Sequence, residues 1–358
     1  MPVLSKPSAE TLALAVARAI RDDEHAGTGT QLNRRGPSRA AGQGDGTRGA
    51  LPRGLLSQGE VLSSQVLSSQ PRALPPTDVQ GGERSGWLST CANPGCHSGW
   101  LHLWRSRSRP VFEQGWTCSQ ACTRARVALA VRRELEGRLT APPVHRHRIP
   151  LGLTMLEQGW ITAVQLRGGL QAQKAAGGGR LGHWLVEQHG VSEALVARAL
   201  GLQWSCPVLP LEFHDVEGLT GILPRLFVDA FGALPLRVAA GRLLYLGFED
   251  RLDQVLALAI ERMTGLRVES GLVQGSLFGP AHTRMLSARF PPVELIEATS
   301  EQAIVQSLTR AIEKARPFRS RVVRVHDCLW LRMEVSDQVG PLPEPDAVQD
   351  LICSIGSH

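Results

Sequence analysis

The chain has 358 residues, 42% of them hydrophobic and 5% aromatic, with 39 basic against 33 acidic residues and a formal net charge of +6. That content supports at least one real core and two or three modest domains, while no apolar run reaches the 18 residues that a membrane-spanning helix needs. Seven cysteines, odd in number and partly clustered, point to metal or redox chemistry in a reducing compartment, so the chain is read as cytoplasmic.

Taken in order, residues 1–86 are expected to be mostly disordered, with one short amphipathic helix over 8–22 that carries Leu12, Val16 and Ile20 at four-residue steps. From Gly27 to Gly86 the chain is rich in Gly, Ser, Pro, Gln and Arg and contains the direct duplication VLSSQVLSSQ. Such a composition buries too little apolar surface to offset its conformational entropy. Residues 87–148 hold Cys91, Cys96, Cys118 and Cys122 and then a basic helix over 123–139, broken by Ala141, Pro142 and Pro143.

Residues 149–209 form a tandem helical unit. Residues 210–297 read as a small α/β part: strands over 234–238 and 242–248 meet around Ala240 and Gly241, a helix over 253–264 stops at Gly265, and a strand follows over 266–273. Residues 298–358 read as a C-terminal α/β extension, with a helix over 300–315 capped by Ser300, a β-rich stretch over 321–335 and a short helix over 346–354. The fold class is therefore α+β: a small metal module, a helical repeat and small mixed subdomains.

The cysteines fall in two pairs, Cys91-x4-Cys96 and Cys118-x3-Cys122, separated by 21 residues. Tetrahedral zinc takes four thiolate or imidazole ligands, and close pairs on two turns supply them with little chain strain. Asn93, Pro94 and Gly95 provide the tight turn of the first pair. The second pair enters a helix, whose N-terminus favours thiolate. The module resembles a treble clef or zinc ribbon over about residues 87–135, with Cys91, Cys96, Cys118 and Cys122 as ligands of a structural Zn2+; His97 is a neighbour that can substitute. Residues 91–148 carry ten Arg against three Glu. Arg105, Arg107, Arg109, Arg124, Arg126, Arg132 and Arg133, with Trp100 and Trp104, give either a phosphate-contacting face for nucleic acid or a solvated arginine surface.

Residues 150–173 and 180–203 are one 24-residue pattern written twice. Leu151, Met155 and Leu156 form an apolar stripe ending near Gly159, and Thr162 with Gln165 makes a capping box that opens a second helix along Leu166 and Leu170. Leu181, Leu185, Val186, Ser192, Val196 and Leu200 repeat this. Gly152 and Gly182 mark points of close backbone approach, either to a partner helix or to a ligand.

The doubled pattern resembles the N-terminal domain of bacterial type II secretion and type IV pilus assembly ATPases of the GspE and MshE type, over about residues 149–275. The resemblance implies docking to a secretion or pilus-type assembly. It also implies cyclic di-GMP as a ligand of Leu151, Gly152, Gln173, Arg180, Leu181, Gly182 and Gln203. Two positions depart from it: Pro150 stands where the second copy has Arg180, and His189 displaces the inner glycine to Gly190. Arg148 lies close enough to Pro150 to substitute for the missing arginine.

The lysines, Lys6, Lys174 and Lys314, all lie outside any GxxxxGK[ST] phosphate loop, so the family's ATPase core is not expected here. His326, Asp327 and Cys328 are read as ordinary strand residues whose alternation keeps them from converging. The chain is thus expected to be a non-enzymatic bacterial regulatory or adaptor protein. The alternative is a zinc-dependent nucleic-acid-binding regulator.

Overall fold

A computed structural model describes residues 91–97, 110–137, 149–211, 216–337 and 342–355. The expected disordered region 1–86 and its helix, together with Trp100, Trp104, Arg105, Arg107, Arg109 and Arg148, lie outside the described residues. Strands β1 (Val111–Phe112) and β2 (Gly115–Trp116) form a hairpin whose turn residues Glu113 and Gln114 both take positive φ, 46° and 65°. That geometry matches the twist of a two-residue hairpin. Helix α1 (Gln120–Glu136) starts earlier than the apolar pattern suggests, because the Ser119 side chain caps it by accepting from Cys122 N at 3.3 Å.

Four helices follow: α2 (Leu151–Glu157), α3 (Ala163–Ala175), α4 (Leu181–His189) and α5 (Glu193–Trp204). After the short α6 (Val216–Leu219) and α7 (Arg225–Phe231), strands β3 (Leu234–Ala239) and β4 (Leu243–Phe248) pair antiparallel across the Ala240-Gly241 turn. Helix α8 (Gln254–Thr264) starts at Asp253, which caps Leu256 N at 2.8 Å, and leads to β5 (Arg267–Leu272), parallel to β4. The sheet order is β3-β4-β5, and Leu209 N donates to Leu272 O at 2.7 Å, fastening the end of the helical unit to its edge.

A second sheet has the order β6-β9-β8-β7, from β6 (Val293–Ala298), β7 (Arg319–Val325), β8 (Cys328–Glu334) and β9 (Val348–Ile355). Helix α9 (Gly275–Ser287) precedes it and α10 (Glu301–Ala315), capped by Ser300, covers it. The helix expected over 346–354 is instead β9, preceded by a 3-10 turn at Pro345–Ala347. Its apolar run LICSI fits either element locally; pairing with β6 on one side and β8 on the other decides the matter. His326 and Asp327 are likewise the two-residue turn between β7 and β8, since Val325 pairs directly with Cys328.

One sheet face sends Val323, Val325, Trp330 and Ile352 into the core beneath β3, β4 and α8; the other packs Val322, Leu329, Leu331 and Leu351 against α10 and against Val127, Ala130 and Val131 of α1. Helix α1 thus shares a core with α10 and the second sheet, and the boundary drawn at 297 falls inside β6.

A costly group in this core is Asp350, which β9 places in the sheet interior. Arg332 answers it with Nε to Oδ1 at 2.9 Å and Nη2 to Oδ2 at 2.8 Å, and Trp330 Nε1 donates to Oδ1 at 2.8 Å. Arg332 Nη1 reaches the carbonyls of Gly221 and Ile222 at 2.8 and 2.7 Å, so the pair also holds the loop before α7. Replacing Asp350 with Leu leaves the arginine buried and unpaired. A stability loss of about 3–5 kcal/mol is expected in urea unfolding; a loss under about 1 kcal/mol, the range of exposed pairs, would contradict this role.

Candidate metal centre and tandem helical module

The metal-ligand candidates come from a loop and a helix start. Asn93 shapes the loop: its carbonyl accepts from Cys96 N at 3.0 Å and its Oδ1 from Gly95 N at 3.2 Å. Its Nδ2 donates to Cys122 Sγ at 3.4 Å, tying the first cysteine pair to the second. Ala92 N donates to Trp116 O at 2.8 Å, which anchors the loop to β2.

All four Sγ atoms of Cys91, Cys96, Cys118 and Cys122 lie within 4.8 Å of one another, with Cys96 to Cys118 at 3.5 Å and Cys118 to Cys122 at 3.6 Å. Four thiolates around a tetrahedral ion at about 2.3 Å stand roughly 3.8 Å apart, so this group can hold a metal ion with little movement. Burial, with the thiols of Cys96, Cys122 and Cys91 adding to it, pushes the Cys118 thiol up to about 12. A bound dication reverses that preference and favours thiolate. Four sulfur ligands would leave a bound ion no open position for a reacting water, the arrangement of a structural rather than a catalytic site. His97 is exposed.

Of the described arginines of the expected basic face, three have partners within the chain. Arg126 donates to Glu113 O at 3.4 Å, Arg132 meets Glu301 at 3.5 Å, and Arg133 is bound to Glu113 and Glu134. Of the described arginines in the expected nucleic-acid face, only Arg124 has an exposed side chain with no such engagement.

The two copies of the repeat superimpose in sequence at an offset of thirty, and the contacts obey the same offset. Thr162 caps α3 in a full capping box with Gln165, whereas Ser192 takes the same position before α5 without a side-chain hydrogen bond. Met155 and Leu185 are fully buried, with Ile161 and Val191 beside them. A Cβ on Gly152 would stand 2.4 Å from Leu166 of α3 and 3.1 Å from Leu181; one on Gly182 would stand 2.6 Å from Val196 of α5 and 3.6 Å from Leu151. The close approach is therefore to neighbouring helices.

Gln173 and Gln203 interlock the copies. Gln173 Nε2 donates to Gly179 O at 2.6 Å and Gln203 Nε2 to Ile149 O at 2.9 Å, and Ile149 and Gly179 are themselves thirty apart. Each closing glutamine thus secures the entry of the opposite copy. Pro150 and Arg180 occupy the N-cap positions of α2 and α4. The Arg180 guanidinium reaches Glu249 and Asp250, each at 2.9 Å, and the hydrogen bond to Glu249 foremost raises its affinity for its proton. The displaced glycine has a simple cause: α4 runs on through His189, so Gly190 rather than residue 189 takes the left-handed turn, φ 61°, that Gly159 takes at 69° in the first copy. The His189 ring lies over Gly168, where any Cβ would meet it at 2.4 Å.

Replacing Gly182 with Val inserts a branched side chain against Val196. A loss of about 1–3 kcal/mol is expected in chemical unfolding; unchanged stability would mean that the space is open.

No protein-family model matches the chain, and no curated protein matches it. Part of it is similar to solved structures. MshE with cdg is 25% identical at a TM-score of 0.32, over 38% of this chain and 99% of that one. The N-terminal domain of XpsE, in two crystal forms, is 22% identical at TM-scores of 0.27 and 0.22, over 37% of this chain and 92% and 91% of those.

Proposed function

We propose that this chain is a non-enzymatic bacterial adaptor that docks to a secretion or pilus-type assembly through residues 149–209, with a structural Zn2+ on Cys91, Cys96, Cys118 and Cys122. The observation that carries the docking role is where apolar surface is left uncovered. Of the eight exposed large hydrophobic residues among those described, six lie within residues 149–209: Ile149, Leu153, Val164, Leu170, Leu202 and Val208. The bond from Gln203 to Ile149 brings the first of these beside the end of α5, where Leu202 stands. Uncovered apolar side chains gathered on one module mark an interaction surface.

Cyclic di-GMP is the ligand that the resemblance implies for the same module, and the internal engagement of its motif residues favours docking over that ligand. Leu151 and Leu181 pack against the glycines, Gln173 and Gln203 bind backbone, and Arg180 is paired with two carboxylates. Calorimetric titration of the full chain with cyclic di-GMP is expected to show no saturable heat. Binding that Arg180→Ala removes would overturn the docking-only reading. Leu153→Asp combined with Leu202→Asp is expected to leave the fold intact by circular dichroism and to abolish co-purification with pilus or secretion assembly components; retained co-purification counts against this surface.

For the metal, elemental analysis of protein purified without chelators is expected to give one zinc per chain, lost in Cys118→Ser with Cys122→Ser. Metal-free protein with four reactive thiols would refute the assignment. The nucleic-acid reading has less support, because Arg126, Arg132 and Arg133 each have a partner within the chain, Arg132 and Arg133 at its surface.

A further inference from the structure

The β7 edge of the second sheet carries a cavity of about 380 Å3 lined by Glu113, Gln114, Arg133, Arg262, Arg321 and Val322. Strand β7 is the last in its sheet; α1 lies over one of its faces and α8 over the other, and the β1–β2 hairpin docks on it through Glu113 N to Ser320 O at 2.8 Å. Three arginines from three elements thus converge on one hollow.

Their charges are unequally answered. Arg133 is held by both oxygens of Glu113, at 2.8 and 2.6 Å, and by Glu134 at 2.9 Å. Arg262 gives both terminal nitrogens to Glu134, at 2.9 and 2.5 Å. Arg321 donates Nη1 to the Arg262 carbonyl, and no carboxylate among the described residues pairs with it. Three guanidinium groups stand against two carboxylates, one of which, Glu134, is buried on the inner side. The unmatched positive charge belongs to Arg321, which lines a cavity large enough for a small molecule.

We propose that this cavity binds a small phosphate monoester, with the phosphoryl group on Arg321 and the outward edge of Arg262. Guanidinium forks match phosphate oxygens in geometry and charge. The rest of the lining fixes the class of the remainder: Glu113 and Gln114 offer an acceptor and an amide for hydroxyl groups, and no aromatic ring is present to stack a base. A phosphorylated polyol or sugar fits that lining, and a nucleotide does not.

The test is calorimetry on the full chain with glycerol 3-phosphate, a hexose 6-phosphate, adenosine monophosphate, inorganic phosphate and the unphosphorylated polyols. Saturable binding is expected for the polyol and sugar phosphates, weaker binding for inorganic phosphate, and none for the unphosphorylated compounds. Arg321→Gln is expected to weaken the esters by at least about tenfold, the loss of one charge-assisted contact. Exposed Arg310→Gln on α10 is expected to change nothing. Gln114→Gly, which suits the positive φ of that turn, is expected to weaken the esters and to spare inorganic phosphate. The proposal fails if no phosphate compound binds, if Arg321→Gln and Arg310→Gln weaken binding equally, or if adenosine monophosphate binds more tightly than the sugar phosphates.

Discussion

Glu134 sits near the end of α1 with 3% of its surface exposed, and its carboxylate holds three elements in register. It accepts both terminal nitrogens of Arg262 from α8, the Nε of its neighbour Arg133, and the backbone N–H of Arg324 on β7 at 3.1 Å. Burial opposes its charge, yet these donors outweigh burial and hold its carboxyl below the usual carboxylate range. The stabilisation they provide is present above the ordinary carboxylate pKa and is lost as pH falls through the lowered folded value. A buried carboxylate stripped of such partners is costly, so α1 has one position relative to α8 and β7. The same helix carries Cys122 in its first turn. The candidate metal loop, the sheet edge and the arginine-lined cavity are thereby placed by one helix with one register.

The tandem module shows a different constraint, self-complementarity. Gly152 and Gly182 admit the leucines and valine of neighbouring helices, and each closing glutamine secures the other copy's entry. A departure in one copy is met locally: the longer α4 moves its terminal glycine to position 190, and Gly168 in α3 makes room for the His189 ring. Such compensation keeps the helical core filled, and what the module then presents outward is apolar side chains.

Much of this was legible in the sequence wherever a local rule decides the outcome. The capping box at Thr162, the cap at Ser300, the helix stop at Gly265 and the turn at Ala240-Gly241 each rest on a few adjacent residues, and the structure has all of them. What local pattern misjudged is set by distant partners. Strand β9 is a strand because β6 and β8 flank it. The ion pair from Glu134 to Arg262 spans 128 residues, beyond any motif. For the candidate metal residues the paired spacing was the signal, and their sulfurs converge. For the ligand motif the residue types could be read, but not that Arg180 would meet Glu249 and Asp250, some seventy positions away.

Helix α1 belongs both to the candidate metal centre and to the shared core, so that a metal held there would stabilise both together. Val127, Ala130 and Val131 pack against α10 and the sheet, while Cys122 stands one turn from Ser119 at the start of the same helix. The most direct test is thermal unfolding of the metal-loaded full chain, with and without chelator, followed by the fluorescence of its tryptophans and by far-ultraviolet circular dichroism. The account predicts that chelation lowers both midpoints together. Midpoints unmoved by complete removal of the metal would contradict it.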